Sequence, residues 1–501
     1  MSKLLFIGID ALDAIQLDRF AADLPHLSRL RAEGFYARME SVWPPDSETA
    51  WATIYTGWNP ARHGIVEFVD PLQKSATYMM RERDNEVFRG ATFWDIAGAH
   101  QRQVAVLFPH VGYPSWPVNG VMITRANVGD EVSVTPAHLR DDLRVQDFQG
   151  VKGLVGRAPQ DFLDANRALV ERQLALNLDV MRRQPWDLFF TYWSALDLVQ
   201  HQFWAYCDPQ DPTYPGETPY RHAIRDFYIL HDQVVGRLLE QVDDDTTVIV
   251  MSDHGHGMRP VKLFNINRLL REHGLLTLKE GSASRSADLL KVLKKRAMNT
   301  VTRYHLGNVA ARVLRAAPWT KKLYIGSTNL DLDRTIACTT DMSGIKAYAY
   351  GGIRIARQNL NGRSYEAVVQ QIKDLLTGVD DPENGGSRIV RWIKHREELY
   401  SGPHLERYPD LVFELDSGYG AGWDAAGPLF DVSHSHNLYP GSHLGSTAVF
   451  MLSGPAQARI VRSPRSLMDI APTVLDVLQV ALPPDMDGSS VLQPLAAMDA
   501  P

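Results

Sequence analysis

The run Val248-Ile249-Val250-Met251-Ser252-Asp253-His254-Gly255-His256-Gly257 ends an apolar stretch in a carboxylate, imidazoles and glycines. If the apolar part is a buried strand, it delivers Asp253 and His254 into a turn where neighbouring oxygen and nitrogen donors can approach a metal ion without crowding. An ordinary Asp-His-Gly turn would use the same residues. A second pair lies in Asp197-Leu198-Val199-Gln200-His201, after the apolar run Leu188-Phe189-Phe190-Thr191-Tyr192-Trp193. A spacing of four sets Asp197 and His201 on one side of a helical turn, suited to chelating one ion, with a hydrogen-bonded i,i+4 pair as the alternative. Asp10 closes a third apolar run, Phe6-Ile7-Gly8-Ile9.

Two divalent ions about 4 Å apart can activate a nucleophile with one ion and stabilise a leaving oxygen with the other. Such a centre needs carboxylates and imidazoles that converge from distant parts of the chain, so the elements must bring them together. Apolar, β-rich runs at 4–9, 104–108, 187–192, 246–251, 411–415 and 447–452 predict strands. Helical spacing is present at 162–181 and 223–242, with a closing helix over 465–478. The alternation predicts an α/β fold: a mostly parallel central sheet covered on both faces by helices. In such sheets ligands gather beyond the carboxyl ends of the strands, where Asp10, Asp253 and His254 stand.

A chain of 501 residues exceeds the usual size of one compact domain. The 52 Lys and Arg against 59 Asp and Glu give a net charge of −7, which offers no whole-molecule attraction to nucleic acid or anionic lipid. An anionic substrate must therefore be held by local charge or by metal. Two cysteines, Cys207 and Cys338, are too few for a disulfide framework or a thiolate zinc site, so a reducing, cytoplasmic setting is expected. No apolar stretch reaches the roughly 18 residues of a membrane span. Residues 261–345 differ in character: 291–322 carries nine Lys or Arg and no acid among residues at helical spacing, which predicts an inserted basic, helix-rich cap. Its basic face is either solvated or a contact surface for an anion. Gly418-Tyr419-Gly420-Ala421-Gly422 lacks the context of a phosphate loop and is expected to be a flexible loop.

Three further stretches make the pattern specific: Trp43-Pro44-Pro45-Asp46-Ser47-Glu48-Thr49-Ala50-Trp51, then Tyr55-Thr56-Gly57, then Pro60-Ala61-Arg62-His63-Gly64-Ile65. With Asp10 before them and the Asp-x-x-x-His and Asp-His-Gly runs after, in that order, the chain resembles the type I phosphodiesterase and nucleotide pyrophosphatase branch of the alkaline phosphatase superfamily. The resemblance covers roughly residues 1–260 and 346–501, which it implies form the catalytic core around the 261–345 insertion. Counting back from Thr56-Gly57 along the family pattern lands on Ser47 as the nucleophile, with Thr49 as the rival hydroxyl.

The resemblance further implies two divalent ions. Asp10, Asp253 and His254, with the Ser47 alkoxide, would hold one. Asp197, His201 and a late histidine would hold the other. That histidine matches His443 in Gly441-Ser442-His443-Leu444-Gly445, before the strand at 447–452, in preference to His434 or His436. Mixed Asp and His donors suit Zn²⁺, and Mn²⁺ or Fe could occupy them. The implied reaction is hydrolysis of a small-molecule phosphate ester, a phosphodiester or pyrophosphate, through a phospho-Ser47 intermediate. A phosphomonoesterase or phosphonate hydrolase on the same scaffold, or a metal-binding protein without turnover, are the alternatives. Ser47-Glu48-Thr49-Ala50-Trp51 lacks the Cys/Ser-x-Pro-x-Arg motif of sulfatases. The chain departs from the pyrophosphatases at Phe68, where they place an Asn shortly after His-Gly-Ile. Arg62 and His63 are expected to build a structural turn.

Overall fold

The structure, a computed structural model, describes residues 2–65, 69–70, 75–76, 84–126, 131–148, 158–279, 330–340, 347–386, 388–437 and 439–493. Phe68 and the basic run at 291–322 lie outside the described residues.

The centre is an eight-stranded sheet in the order Phe35–Met39, Ala448–Ser453, Thr246–Met251, Lys3–Ile9, Leu188–Trp193, Val104–Leu107, Gly120–Arg125, Val132–Thr135. The five strands from Thr246–Met251 to Gly120–Arg125 are parallel; Ala448–Ser453 and Val132–Thr135 run antiparallel to their inner neighbours. The molecule is thus α/β with a mostly parallel sheet flanked by helices. Alternation along Lys3–Ile9 explains its unbroken apolar run: Leu5, Ile7 and Ile9 enter one hydrophobic cluster, Leu4 and Phe6 the other, so both faces are covered. The helices Pro159–Arg183, Ala195–Cys207 and Ala223–Leu239 pack the first face. The helix Ser47–Thr56 packs the second, with Trp51 fully buried against the sheet. Gly8 makes that approach possible, since a Cβ there would come within 2.5 Å of the Trp51 ring. Truncating so large a buried side chain costs about 3–5 kcal/mol, so Trp51 helps to fix where the helix begins.

A second hydrophobic cluster system surrounds an antiparallel four-stranded sheet, Ala337–Thr340, Tyr350–Ile355, Leu411–Leu415 and Val390–His395. The strand expected at 411–415 belongs here, apart from the main sheet. Phe264, Ile266, Leu269 and Leu270 from Lys262–Asn265 and the helix Ile266–Glu272 join this core, as do Ile336 and Ala337. Both described ends of the 261–345 segment therefore pack with residues from 353–425. Two expectations need correcting. The glycine run at 418–422 forms the strand Tyr419–Gly422, which pairs in parallel with Lys262–Asn265, because a strand can run through glycines where a neighbouring backbone comes close. The closing helix spans only Ile470–Val477, after a short 3-10 turn Leu467–Asp469 that Ser466 caps. Among the described residues no helix is long and apolar enough to cross a membrane.

Candidate metal centre and nucleophile

Parallel pairing of adjacent strands fixes the first group of donors. Lys3–Ile9 and Thr246–Met251 run side by side with Gly8 opposite Met251, so Asp10 and Asp253 leave the sheet at the same edge. The turn after Thr246–Met251 is held tightly: Ser252 Oγ donates to Leu12 O at 2.7 Å, and Asp13 accepts from the His256 N–H at 3.2 Å. A Cβ at Gly255 would lie 1.9 Å from Thr447 Oγ1, so only glycine lets the chain turn there and aim His254 back at Asp10. Asp10, Asp253 and His254 each offer a donor atom within 4.8 Å of the others, and all three are buried. His254 Nε2 lies 3.3 Å from Asp253 Oδ2 and 3.5 Å from Asp10 Oδ1.

Ser47 is the first residue of its helix and joins this group. Its Oγ stands 3.2 Å from His254 Nε2 and 3.4 Å from Asp10 Oδ1. Asp46 occupies the N-cap without a side-chain cap hydrogen bond. Thr49, the rival hydroxyl, is fully buried inside the helix.

The second group comes from different elements. The helix Ala195–Cys207 starts directly after the strand Leu188–Trp193 and carries Asp197 and His201 one turn apart. His443 arrives on the strand Gly441–Leu444, antiparallel to Gly255–Met258 with His443 opposite His256. Donor atoms of Asp197, His201 and His443 again lie within 4.8 Å of one another. The two groups adjoin, since the rings of His254 and His443 stack with centroids 3.9 Å apart.

Tautomers decide what these groups can hold. His201 Nδ1 lies 3.0 Å from Gly441 O, His443 Nδ1 2.9 Å from Pro45 O, and His254 Nδ1 3.0 Å from Gly255 O. A carbonyl oxygen only accepts, so each Nδ1 carries the hydrogen and each Nε2 presents a lone pair inward. His201 Nε2 and His443 Nε2 face each other at 2.9 Å, lone pair against lone pair, with Asp197 Oδ1 3.3 Å and 3.6 Å away. Asp197 Oδ1 and Asp253 Oδ2 are buried without a hydrogen-bond partner among the described residues. Burial, then Asp253 and Asp197, pushes Asp10 well above the usual carboxylate range, and burial raises Asp253 to about 7. Burial lowers His254 to about 4 and takes His201 well below the ordinary imidazole range. Burial works against a charged His443, yet Tyr348, Asp197 and Asp46 raise it well above the ordinary imidazole range. Crowded carboxylates, with the imidazoles of His254 and His201 that resist protonation, fit a cation at each group, and the Nδ1-to-carbonyl bonds are the usual support for metal-ligating histidine. All seven residues expected from the sequence are therefore brought together in two adjoining groups.

The type I phosphodiesterase / nucleotide pyrophosphatase family model matches residues 4–428. The chain belongs to that family. As a member of the type I phosphodiesterase / nucleotide pyrophosphatase family it is a hydrolase, and the match covers every expected site residue except His443, which lies beyond residue 428. A comparison with curated proteins gives no match.

Several residues of this family member's site were missed from sequence. The Tyr192 hydroxyl donates to Asp10 Oδ2; burial, then Asp10 and Asp253, keeps this phenol protonated and so a donor. Asp46 Oδ1 lies 3.6 Å from His443 Nδ1 and accepts from Tyr350 OH at 3.3 Å, linking the centre to the four-stranded sheet. His256 is fully buried with Nδ1 3.4 Å from Asp197 Oδ1. Adjacency to Ser47 and to His254 was the signal for Asp46 and His256; Tyr192 is hidden in an apolar run. By contrast His436, the rejected competitor, bonds Asp211 Oδ1 at 2.9 Å and Arg259 O at 2.8 Å, with both ring nitrogens engaged. His63 is buried and engaged by Thr53 and Ile65, and Arg62 pairs with Asp485 over the Trp58 ring, the structural turn expected.

Proposed function

We propose that this protein hydrolyses small-molecule phosphate esters, with phosphodiester or pyrophosphate bonds as its substrates and Ser47 as its nucleophile. The observation that carries the reading is the inward set of lone pairs at Asp10, Asp253 and His254 with Ser47 Oγ beside them, adjoining a second such set at Asp197, His201 and His443. Divalent ions bound there, zinc by the donor chemistry, would acidify the Ser47 hydroxyl and stabilise the leaving oxygen.

The chain's own part is positional. Asp10 and His254 hold Oγ within hydrogen-bond distance of the donors an ion would use, and with an ion on those donors the Ser47 proton would pass to solvent. Oγ forms a bond to phosphorus as the ester P–O bond breaks; the departing oxygen leaves as an alcohol or phosphate after gaining a proton from solvent. The phosphoryl group then rests on Ser47 at the start of a ten-residue helix, where first-turn N–H groups and the helix dipole favour an anion. Water attacks phosphorus from the opposite side, the P–Oγ bond breaks, and Ser47 regains its proton.

The test offers protein reconstituted with Zn²⁺ or Mn²⁺ bis-p-nitrophenyl phosphate, p-nitrophenyl phosphate and a phenyl phosphonate ester. Faster turnover of the diester is expected; a preference for the monoester or the phosphonate would reassign the substrate class. Ser47→Ala should abolish turnover while metal still binds. Near-normal activity in that variant would remove Ser47 as nucleophile.

A further inference from the structure

Atoms that converge on the centre are carboxylate oxygens and imidazole lone pairs, which repel the oxygens of a phosphate. The ions proposed there would offset that repulsion, and a side-chain donor from outside the two groups would add to them and to the first-turn N–H groups of the helix Ser47–Thr56. His110 follows the strand Val104–Leu107, whose carboxyl end lies at the same edge of the sheet as Asp10. It sits in a turn whose residues Phe108 and Val111 both have left-handed backbone, φ 56° and 54°. Neither is glycine, and a β-branched valine adopts this conformation only when its surroundings impose it. The strained turn sets the His110 ring against Tyr192, centroids 5.4 Å apart, and Tyr192 is the residue that donates to Asp10.

His110 Nε2 stands 3.6 Å from Oε1 of Glu48, the residue that follows Ser47. That separation is longer than a hydrogen bond, and Nε2 is buried without a hydrogen-bond partner among the described residues. The side chain as a whole keeps 16% of its surface exposed, although Nε2 itself is covered. Burial works against a charged imidazole, yet Glu48, the strongest upward influence, moves His110 toward the form that donates from both nitrogens. A histidine that served packing alone would have no need of a nitrogen left without a hydrogen bond at Glu48, the residue after Ser47.

We propose that His110 is a substrate-contacting residue, its Nε2–H donating to a non-bridging oxygen of the phosphate ester held in line with Ser47. It rests on the phosphate-ester reading above, but its ligand is the phosphate group itself. The experiment titrates metal-loaded wild type, His110→Ala and His110→Gln with inorganic phosphate by calorimetry, and follows bis-p-nitrophenyl phosphate hydrolysis and metal content alongside. A hydrogen bond to a charged group predicts about 10- to 100-fold weaker phosphate binding in His110→Ala, a matching rise in KM, and unchanged metal content. His110→Gln, which restores an N–H donor, should recover most of the loss. Phosphate affinity within about twofold of wild type in His110→Ala, or no phosphate binding by wild type, overturns the proposal, as does an equal loss in both variants with falling metal content. If wild type binds phosphate through His110 but hydrolyses none of the esters, the phosphate contact stands and the hydrolytic reading falls.

Discussion

The two donor groups are built on different principles. Asp10, Asp253 and His254 hang from the ends of neighbouring parallel strands, and the pairing that makes the sheet also sets the spacing of the site. Asp197, His201 and His443 come from a helix and a two-stranded ribbon, and His254 stacked on His443 joins the groups. Burial follows construction: Asp253 and His254 are 0% exposed, Asp197 and His443 each 8%. The sheet-end carboxylates and imidazole are thus more closed than the helix-ribbon set, whose His201 is also only part-buried. An open position is what a site needs if it is to receive a leaving oxygen and then a water. On the proposed reading, the sheet-end group would hold the nucleophile and the helix-ribbon group would exchange ligands.

The sharpest way to break that division is to remove one ligand from each group. Asp253→Asn should cut turnover of the preferred ester about a thousandfold, the several kcal/mol a bound ion contributes at the nucleophile. His443→Ala should cost less, about a hundredfold, because solvent can enter the more open group and fill the vacated position. A colorimetric chelator should release metal from wild type in two phases, fast from the open group and slow from the closed one; His443→Ala should lose the fast phase and keep the slow one, and Asp253→Asn the reverse. Equal losses of activity and a single release phase in both variants would end the distinction.

The supporting hydroxyls offer a finer comparison. Tyr192→Phe deletes the donor to Asp10 in the closed group and should lower metal affinity or turnover about 10- to 100-fold, the range for outer-shell partners of metal ligands. Tyr350→Phe deletes the 3.3 Å bond to Asp46, which reaches the open group only through His443. Its effect should stay near the lower end of that range, about tenfold or less. Isothermal metal titration of both variants checks the order, and a larger loss in Tyr350→Phe would reverse it.

Legibility from sequence divides along the same line. The closed group was readable because a buried strand is an unbroken apolar run and its first polar residue announces the carboxyl end, as at Ile9-Asp10 and Met251-Ser252-Asp253. Helical spacing marked Asp197 and His201 only as a candidate pair, and the other motifs in order were needed to favour chelation over an i,i+4 hydrogen bond. Residues supplied by distant pairing left no local mark. Tyr192 looks like one more core aromatic in 188–193 until the fold turns its hydroxyl toward Asp10, and His110 carries no pattern beyond following a strand. The antiparallel sheet around Leu411–Leu415 escaped for the same reason, since the run looks alike whichever sheet it joins. Glycines at 418–422 misled because turn-forming residues also permit a strand where neighbouring backbone is close.

His63 gives the cleanest contrast, a buried histidine outside both groups. The Ile65 N–H donates to its Nδ1 at 3.0 Å, so the hydrogen is on Nε2, which donates to Thr53 Oγ1 at 3.0 Å, and Thr53 in turn donates to Thr49 O. Both ring nitrogens are satisfied by protein, so no lone pair is left for an ion, unlike His201, His254 and His443. Burial, then the charge on His404, lowers its pKa to about 3. In the unfolded chain the same ring protonates near the ordinary value of about 6.5, so between those values the unfolded state binds more protons. Stability from this residue is therefore fully present above pH 6.5 and lost as pH falls toward 3, by about 2 kcal/mol at pH 5. Urea unfolding at pH 8 and pH 5 should show a smaller acid loss in His63→Gln than in wild type, because glutamine keeps a donor and an acceptor but cannot titrate. An equal acid loss in both proteins would mean that His63 is charged when folded, and that satisfied nitrogens do not separate structural histidines from metal-binding ones in this molecule.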